Sequence, residues 1–311
     1  MTNRKIAFIA QDPNTNNPSN QTTWALMQTA QAQGAQVFWL QPSDLHLHHS
    51  QAVGYMSPVT IQGGNQPSLQ LGDSFLAPIN KLDAIFWREP GPYNWDHMFA
   101  LDLLQTVENE TRILNAPSSL KSLHPHLFAK SFSHLLPPTL VTKHVGAAEA
   151  FLNEVGGKAT IRPLHATGSN RTFFLRMGDP NLKALIEALS QQGTEYVLLQ
   201  KLITEPGLDG DKRLFFLQGE LLGAALQVPP VGELRGSFDG GATASAVQIS
   251  GKDAALVQSI GPALRAQGIH FATVDVSDGY IVDLNLSCPT GLTQLQEVAD
   301  NDVMSPILSS I

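Results

Sequence analysis

A chain of 311 residues with 42% hydrophobic side chains is long enough for two or three subdomains and too apolar for global disorder. Its net charge of −8, with no Lys/Arg run, lacks the electrostatic footprint of a nucleic-acid binder. The single cysteine, Cys288, excludes an intramolecular disulfide framework and a multi-cysteine zinc site. The first apolar run stops at Gln11, too short for a secretory leader, and no run approaches the length of a membrane span. A soluble cytoplasmic protein with no membrane partner is expected.

In chain order, "KIAFIA" (5–10) predicts a buried strand, followed by a polar loop and a helix over "QTTWALMQTAQAQG" that stops at Gly34. "QVFWL" (36–40) is a second strand; strand, helix and strand with a glycine stop is the pattern of a parallel α/β sheet. "DAIFWREPGP" (83–92) adds a strand that runs into a loop carrying Arg88 and Glu89. "NWDHMFALDLLQTVEN" follows as a helix and "RILNAPSSL" as a strand and turn. Residues 1–120 therefore predict an open parallel α/β domain with its polar loop residues after the strands, where such sheets bind ligands.

The middle, 121–203, predicts a small α+β unit. "VGAAEAFLNEVG" is a helix, "KATIRPLHATGSNRTFFLR" two strands around a turn, "PNLKALIEALSQQG" a helix and "EYVLLQKLI" a strand. The last unit, 204–311, opens with antiparallel strands in "DGDKRLFFLQGELLGAALQV", joined at a hairpin-like "QGE". A Gly-rich loop (229–246), a helix (252–267) and the paired strands of "FATVDVSDGYIVDLNLS" complete it.

Those last strands carry the clearest chemistry. Side chains alternate along a strand, so Asp283, Asn285 and Ser287 fall on one face, and the "SDG" turn lays Asp275 alongside. Oxygen donors of this kind suit Mg²⁺ or Mn²⁺ bound through one or two carboxylates plus substrate phosphates. The competing reading is a pair of strand ends with ordinary solvent-facing acids. In "DGDKR" (209–213), Arg213 shares a face with Asp211 and offers a fork for carboxylate or phosphate, against the plainer reading of a charged turn. "GELRGSFDGGATA" has the glycines of a mobile lid or of a plain surface loop. In "DLHLHHS", His46, His48 and His49 read better as a polar edge strand than as zinc ligands. "GDSF" (72–75) echoes a serine-hydrolase signature without the partners that chemistry needs.

Taken in series, "IFWREPGPYN", "ILNAPSSLKS", "GDPNLKALIEALSQQGTEYVLLQKL", "DGDKRLFFLQGE" and "VDLNLSCPTGL" resemble the ATP-grasp ligases, and among them the bacterial glutathione synthetases, over nearly the whole chain. The resemblance implies an ATP-grasp fold: an N-terminal open parallel α/β domain and two α+β subdomains enclosing the nucleotide. It implies an ATP-dependent ligase that joins γ-glutamylcysteine and glycine through an acyl phosphate, releasing ADP and phosphate. ATP, Mg²⁺ (or Mn²⁺), small-molecule substrates and a homo-oligomer come with it.

Carried over by position, Asp275, Asp283 and Asn285 match the family's metal ligands. Arg213 and Arg235 match catalytic arginines that hold the peptide substrate or the transferring phosphoryl group. Arg88, Asn285, Ser287 and Cys288 line the substrate side. His126, Arg162, Gln200, Lys201, Leu202, Ile203 and Asp211 fall at the ATP positions, with 198–203 as the hinge for adenine. Several positions depart from the family pattern. His126 and Arg162 stand where lysines meet the phosphates, the turn 166–170 keeps one glycine, with Arg171 just beyond it, Asp283 replaces a glutamate, and Ala242 follows Gly240–Gly241 where an arginine is usual. Cys288 replaces a small hydroxyl residue. A ligase for a different acid and amine, and a non-catalytic binder of nucleotide or thiol peptide, stay open as alternatives.

Overall fold

The computed structural model describes residues 4–11, 18–62, 68–90, 94–165, 172–203, 210–230 and 236–311. Three sheets organise the chain. The first is built from β1 (Lys5–Ile9), β2 (Gln36–Leu40), β3 (Leu45–His48), β4 (Gln51–Gln62), β5 (Ser68–Leu71), β6 (Phe75–Pro78), β7 (Ala84–Trp87) and β8 (Arg112–Leu114). Its path is β3-β4-β2-β1-β7-β8, with β5 and β6 paired to β4. The stretch β2-β1-β7-β8 is parallel. Its strands are apolar on both faces because both faces are covered, as parallel sheets require. Ile9, Leu40 and Ile85 enter one core; Phe8 and Phe86 stack at 4.7 Å in the other, beneath helix α1 (Pro18–Ala32).

The hairpins of β4 with β3, β5 and β6 were not legible in the sequence. Gly54 and Pro58 interrupt the twelve-residue strand β4 and hide its period. Gly54 is needed there: a Cβ at this position would lie 2.6 Å from a Leu40 methyl. β3 lies at the end of its sheet, and the His46–His48 run is an edge strand.

Helix α2 (Trp95–Gln105) starts at Asn94, whose side chain accepts from the His97 amide. Two short helices, α3 (Pro117–Ser122) and α4 (Pro125–Phe128), lead out of β8 into the second sheet. That sheet has the order β11-β10-β12-β9 and is antiparallel, from β9 (Thr139–Thr142), β10 (Lys158–Pro163), β11 (Phe173–Arg176) and β12 (Val197–Lys201). Helices α5 (Val145–Glu154) and α6 (Leu182–Leu189) cover one face and close a separate core around Leu152, Ile161, Ile186 and Leu199.

The third sheet runs β15-β14-β13-β16-β17, all antiparallel, from β13 (Asp211–Leu217), β14 (Glu220–Val228), β15 (Thr243–Ala246), β16 (Phe271–Ser277) and β17 (Tyr280–Asn285). Between β15 and β16 lies α7 (Gly251–Ala266), capped by Ser250 and Asp253 in a reciprocal capping box. After β17 come α8 (Leu292–Val298) and α9 (Ser305–Ser309). One face of the third sheet shares a core with the first sheet through Leu214, Val274 and Leu284. Mixed layers of this kind match the ATP-grasp fold expected from the sequence. Among the described residues, no helix is long and apolar enough to cross a membrane.

Candidate active site

The site is written in the register of the third sheet. Arg213 on β13 lies opposite Asp275 on β16, and Asp275 lies opposite Asp283 on β17. One row across three strands thus carries a guanidinium and two carboxylates. The neighbouring row, Leu214, Val274 and Leu284, points the other way into the core. Strict alternation would put Ile281 beside Asp283 on the polar face. A bulge between the Asp275 and Val276 rungs removes that conflict: Val276 pairs with Ile281, so Ile281 enters the core while Asp283 stays in the cleft. The hairpin itself turns on Asp278 and Gly279, both at positive φ, where aspartate and glycine are tolerated.

Arg213 is held from all sides. Its Nε and Nη2 each donate to Asp275 at 2.7 Å, a bidentate fork. Nη1 donates to the Thr290 hydroxyl at 3.1 Å and to its carbonyl at 3.3 Å. The Phe238 ring lies 5.4 Å from the guanidinium carbon. Phe238 can approach because residue 291 is glycine; a Cβ there would fall 2.5 Å from the ring.

Asp283 faces the second sheet. Arg162, on β10, approaches its carboxylate to 3.2 Å with Nη1, while Nη2 donates to the Val282 carbonyl, also at 3.2 Å. Burial pushes the Asp283 carboxyl up, but Arg162, His126, the Leu284 amide and Arg213 together outweigh it, and the carboxyl is held below its ordinary value. Arg162 also lies 3.3 Å from Nδ1 of His126. Arginine can only donate, so Nδ1 accepts and the proton of the neutral ring sits on Nε2, 3.9 Å from Asp283. Burial and the Arg162 charge drive the His126 pKa down to about 3, so this imidazole is neutral at physiological pH.

Asp211 completes the acidic patch. Burial, then the neighbouring Asp275 charge, push its pKa up to about 6, against a hydrogen bond from Ser277. The patch therefore holds more negative charge than its arginines neutralise, and its donors are oxygen atoms, which fits a hard divalent cation. Among the described residues no group of three or more His, Cys, Asp or Glu is arranged as a ready-made ion cage. Two carboxylates fit a cation that draws its remaining ligands from water and phosphate.

Asn285 works differently from its acidic neighbours. Its Oδ1 accepts from the amides of Ser287 (3.2 Å) and Cys288 (3.0 Å), and its Nδ2 donates to the Cys288 carbonyl (2.9 Å). It shapes the turn beyond β17 rather than presenting an open oxygen. That turn docks on the loop after β7. Ser287 Oγ donates to the Glu89 carbonyl at 2.6 Å, and the buried Cys288 thiol donates to the Arg88 carbonyl at 3.3 Å. Arg88, 2% exposed, donates to Thr23 Oγ1 and to the Pro289 carbonyl. The Thr22 hydroxyl accepts from the Gly291 and Leu292 amides. The first and third sheets thus meet along 88–89 and 287–292.

Between the second and third sheets lies a narrow cleft lined by His126, Leu136, Leu198, Gln200, Ile281 and Asp283. Its volume is about 10 Å³, room for a single water. At the hinge, Gln200 is buried and donates to Thr139 at 3.4 Å. The Lys201 and Leu202 amides are taken by the Pro138 and Lys158 carbonyls, the Lys201 side chain is exposed, and Ile203 is half-buried.

The structure thus gathers Arg162, His126, Asp211, Arg213, Asp275 and Asp283 into one cleft. Arg88, Ser287 and Cys288 are buried where the first and third sheets meet. Arg235, the turn 166–170 and Arg171 lie outside the described residues. Ala242, 7% exposed, belongs to the same core as Phe238. Sequence reading missed Thr22, Thr23, Phe238 and Thr290, whose roles depend on contacts between distant segments. Phe238 in "GELRGSFDGGATA" and the threonine in "SCPTG" lay inside motifs already singled out.

Comparison with known proteins identifies the family and the fold. The sequence model of the prokaryotic glutathione synthetase N-terminal domain matches residues 4–121, and that of the prokaryotic glutathione synthetase ATP-grasp domain matches 125–300. A glutathione synthetase of Thermosynechococcus vestitus is 32% identical over 303 residues, covering 94% of this chain and 95% of that protein. One from Shewanella oneidensis is 29% identical over 309 residues, covering 99% and 98%. Among solved structures, D-cycloserine synthetase DcsG superposes with a TM-score of 0.67 at 14% identity, covering 98% of this chain and 99% of that one. D-alanyl-alanine synthetase A from Vibrio cholerae gives 0.62 at 14% identity, covering 100% and 97%. These two show the fold.

Proposed function

The chain belongs to the prokaryotic glutathione synthetase family and is an ATP-dependent ligase of that type, and on this premise we propose that it joins γ-glutamylcysteine to glycine in the cytoplasm. The observation that carries the reading is the row Arg213–Asp275–Asp283, facing Arg162 across a cleft that opens between two sheets.

In the proposed reaction a carboxylate oxygen of the peptide attacks the γ-phosphorus of ATP, and the bond to ADP breaks. The amine of glycine then attacks the acyl carbon, loses a proton, and inorganic phosphate leaves. The protein's part is positioning and charge neutralisation. Asp275 and Asp283 would hold Mg²⁺ (or Mn²⁺), and Asn285 joins them when the 285–288 turn yields one of its bonds. Bound there, the ion would supply charge neutralisation for the phosphates.

Arg162 exchanges Asp283 for phosphate when the nucleotide enters. Arg213, fixed by Asp275, Thr290 and Phe238, presents a rigid guanidinium to the transferring group, and Arg235 adds a second. The hinge 200–203 holds adenine. Asp211 would add its carboxylate on the side of Asp275 and Asp283, and His126 would back the phosphates as a neutral ring. Arg88, Ser287 and Cys288 shape the peptide side.

The test is to supply ATP, Mg²⁺, γ-glutamylcysteine and glycine and follow ADP. The expected result is ADP release that needs both substrates. No ADP above the blank from folded protein would overturn the proposal, and ADP only with other acid–amine pairs would reassign the substrates. A second reading, a nucleotide binder without turnover, is favoured by one observation: His126 brings no charge to the phosphate wall. It predicts a rise in melting temperature with Mg²⁺-ATP and no ADP.

A further inference from the structure

The β16–β17 ladder ends at Thr273 opposite Asn285. Continued, it would set Ala272 opposite Leu286, but the strands part there, and a side chain from the first sheet fills the gap. Asn115, directly after β8, is 4% exposed and uses its whole amide. Nδ2 donates to the Phe271 carbonyl at 2.7 Å and to the Leu286 carbonyl at 2.5 Å. Oδ1 accepts from the His270 and Phe271 amides, both at 2.7 Å. Two donors and two lone pairs are all the hydrogen-bonding capacity an asparagine side chain has. The amide stands in for the missing rung between two strands, and it does so from another sheet.

We propose that Asn115 is a positioning residue: it fixes where β17 leaves β16, and so sets the Asp275–Asp283 pair and the 285–288 turn in the geometry the ligase reaction needs. Leu286, which Asn115 holds, sits between Asn285 and Ser287. Asn285 orders the Ser287 and Cys288 amides. Those two residues in turn grip the Glu89 and Arg88 carbonyls. Both ends of the turn are thereby referred to the first sheet, Leu286 by Asn115 after β8 and residues 287–288 by the loop after β7. A carboxylate at 115 could accept from the two amides but could not donate to the two carbonyls. Alanine could do neither. Asn115 touches no substrate in this account; it acts through Leu286 and Asn285.

The metal part of this inference rests on the function proposed above, so the test has two independent readouts. The variants are Asn115→Ala and Asn115→Asp. The control is Leu152→Ala, a truncation in the separate core beneath α5. Amide hydrogen exchange is measured across 283–291 well below each melting temperature. The expected result is exchange at least about tenfold faster in both Asn115 variants and unchanged in the control. Mn²⁺ binding in the presence of ADP, followed by the electron paramagnetic resonance of free Mn²⁺, should weaken by about tenfold or more in the Asn115 variants alone. Exchange in 283–291 that stays at the wild-type rate, or rises equally in the control, overturns the proposal. So does failure of both Asn115 variants to fold, since the residue would then hold the fold rather than the site. Faster exchange together with wild-type protein that binds no Mn²⁺ supports Asn115 as the pin of β17 and removes the metal reading instead.

Discussion

Arg162 and Asp283 belong to different sheets, yet the guanidinium of one lies 3.2 Å from the carboxylate of the other. The contact closes the cleft and occupies one of the carboxylates assigned to the metal. A divalent cation held by Asp283 would therefore compete with Arg162 for the same oxygen. Arg162→Gln should make metal binding without nucleotide tighter, because the competing charge is gone. The same change should weaken ATP binding, because the phosphates lose their arginine. Isothermal titrations with Mn²⁺ alone and with ATP read the two effects separately. The ligand-free protein should also lose about 1.5–3 kcal/mol of stability, the usual size of a charged hydrogen bond. If both affinities fall together, the competition does not exist.

The Arg213–Asp275 fork makes a sharper demand on geometry. Lysine at 213 keeps the charge but can reach neither both carboxylate oxygens nor the Phe238 face together with Thr290. Arg213→Lys should lower kcat by about a hundredfold, the cost of a small misplacement of a catalytic group. Melting temperature should fall as well, because the buried fork and the Thr290 bonds are lost, while ATP affinity should change little. A lysine variant with near-wild-type kcat would show that Arg213 serves only the fold.

Asp283 and Asp275 sit side by side but carry different partners, so their substitutions should differ in kind. Asp283→Ala removes a ligand and frees Arg162, and should abolish metal-dependent turnover. Asp275→Asn keeps the shape, loses the fork to Arg213, and should lower both turnover and stability. ADP release against Mg²⁺ concentration, with a melting curve for each variant, separates them. Unchanged turnover in Asp283→Ala would show that the metal has been misplaced.

How much of this was legible in the sequence follows from the distances involved. Asp283 and Asn285 could be placed on one face because alternation along a strand is local. The match of Asp275 to Asp283 came from a short turn between them. The bulge that frees Ile281 was invisible, since nothing in "YIVDLN" marks it. The hairpins of β4 were hidden by Gly54 and Pro58. Asn115 read as part of a turn because its partners lie more than 150 residues away. Arg162 was found at a phosphate position through the family pattern, but its bond to Asp283, across two sheets, could not be read from either strand alone.

His126 offers a test by absence of titration. Its pKa lies near 3, held down by burial and by Arg162. An ordinary histidine at the phosphates would gain charge as pH falls through about 6.5 and would tighten ATP binding there. This one should not. ATP affinity, measured from pH 8 to pH 5.5, should show no rise attributable to a histidine, and His126→Gln should leave the profile unchanged. His126→Lys restores a positive charge and should strengthen ATP binding. It should also destabilise the ligand-free protein, because the new ammonium faces Arg162. Tighter ATP binding in the wild type below pH 6.5, lost in His126→Gln, would show that the ring is charged after all.

The acid side of the stability curve should be set partly by two histidines away from the cleft, the buried His97 and the half-buried His270. His97 packs edge-on against Trp87 at 5.1 Å, and burial lowers its pKa to about 4. Burial and then Arg112 lower His270 to about 4 as well. The unfolded chain takes up these protons near pH 6.5, and the folded chain does not until about pH 4. Between those values the unfolded state binds more protons, so stability rises with pH and is lost as pH falls. Above pH 6.5 both states are neutral at these rings and the contribution is flat. Each histidine adds a slope of up to about 1.4 kcal/mol per pH unit within the window. His97→Phe keeps an aromatic ring against Trp87 and removes the titration. Its unfolding free energy, measured by denaturant from pH 7 to pH 4.5, should therefore fall less steeply than that of the wild type. Parallel curves would show that His97 takes up its proton equally in both states.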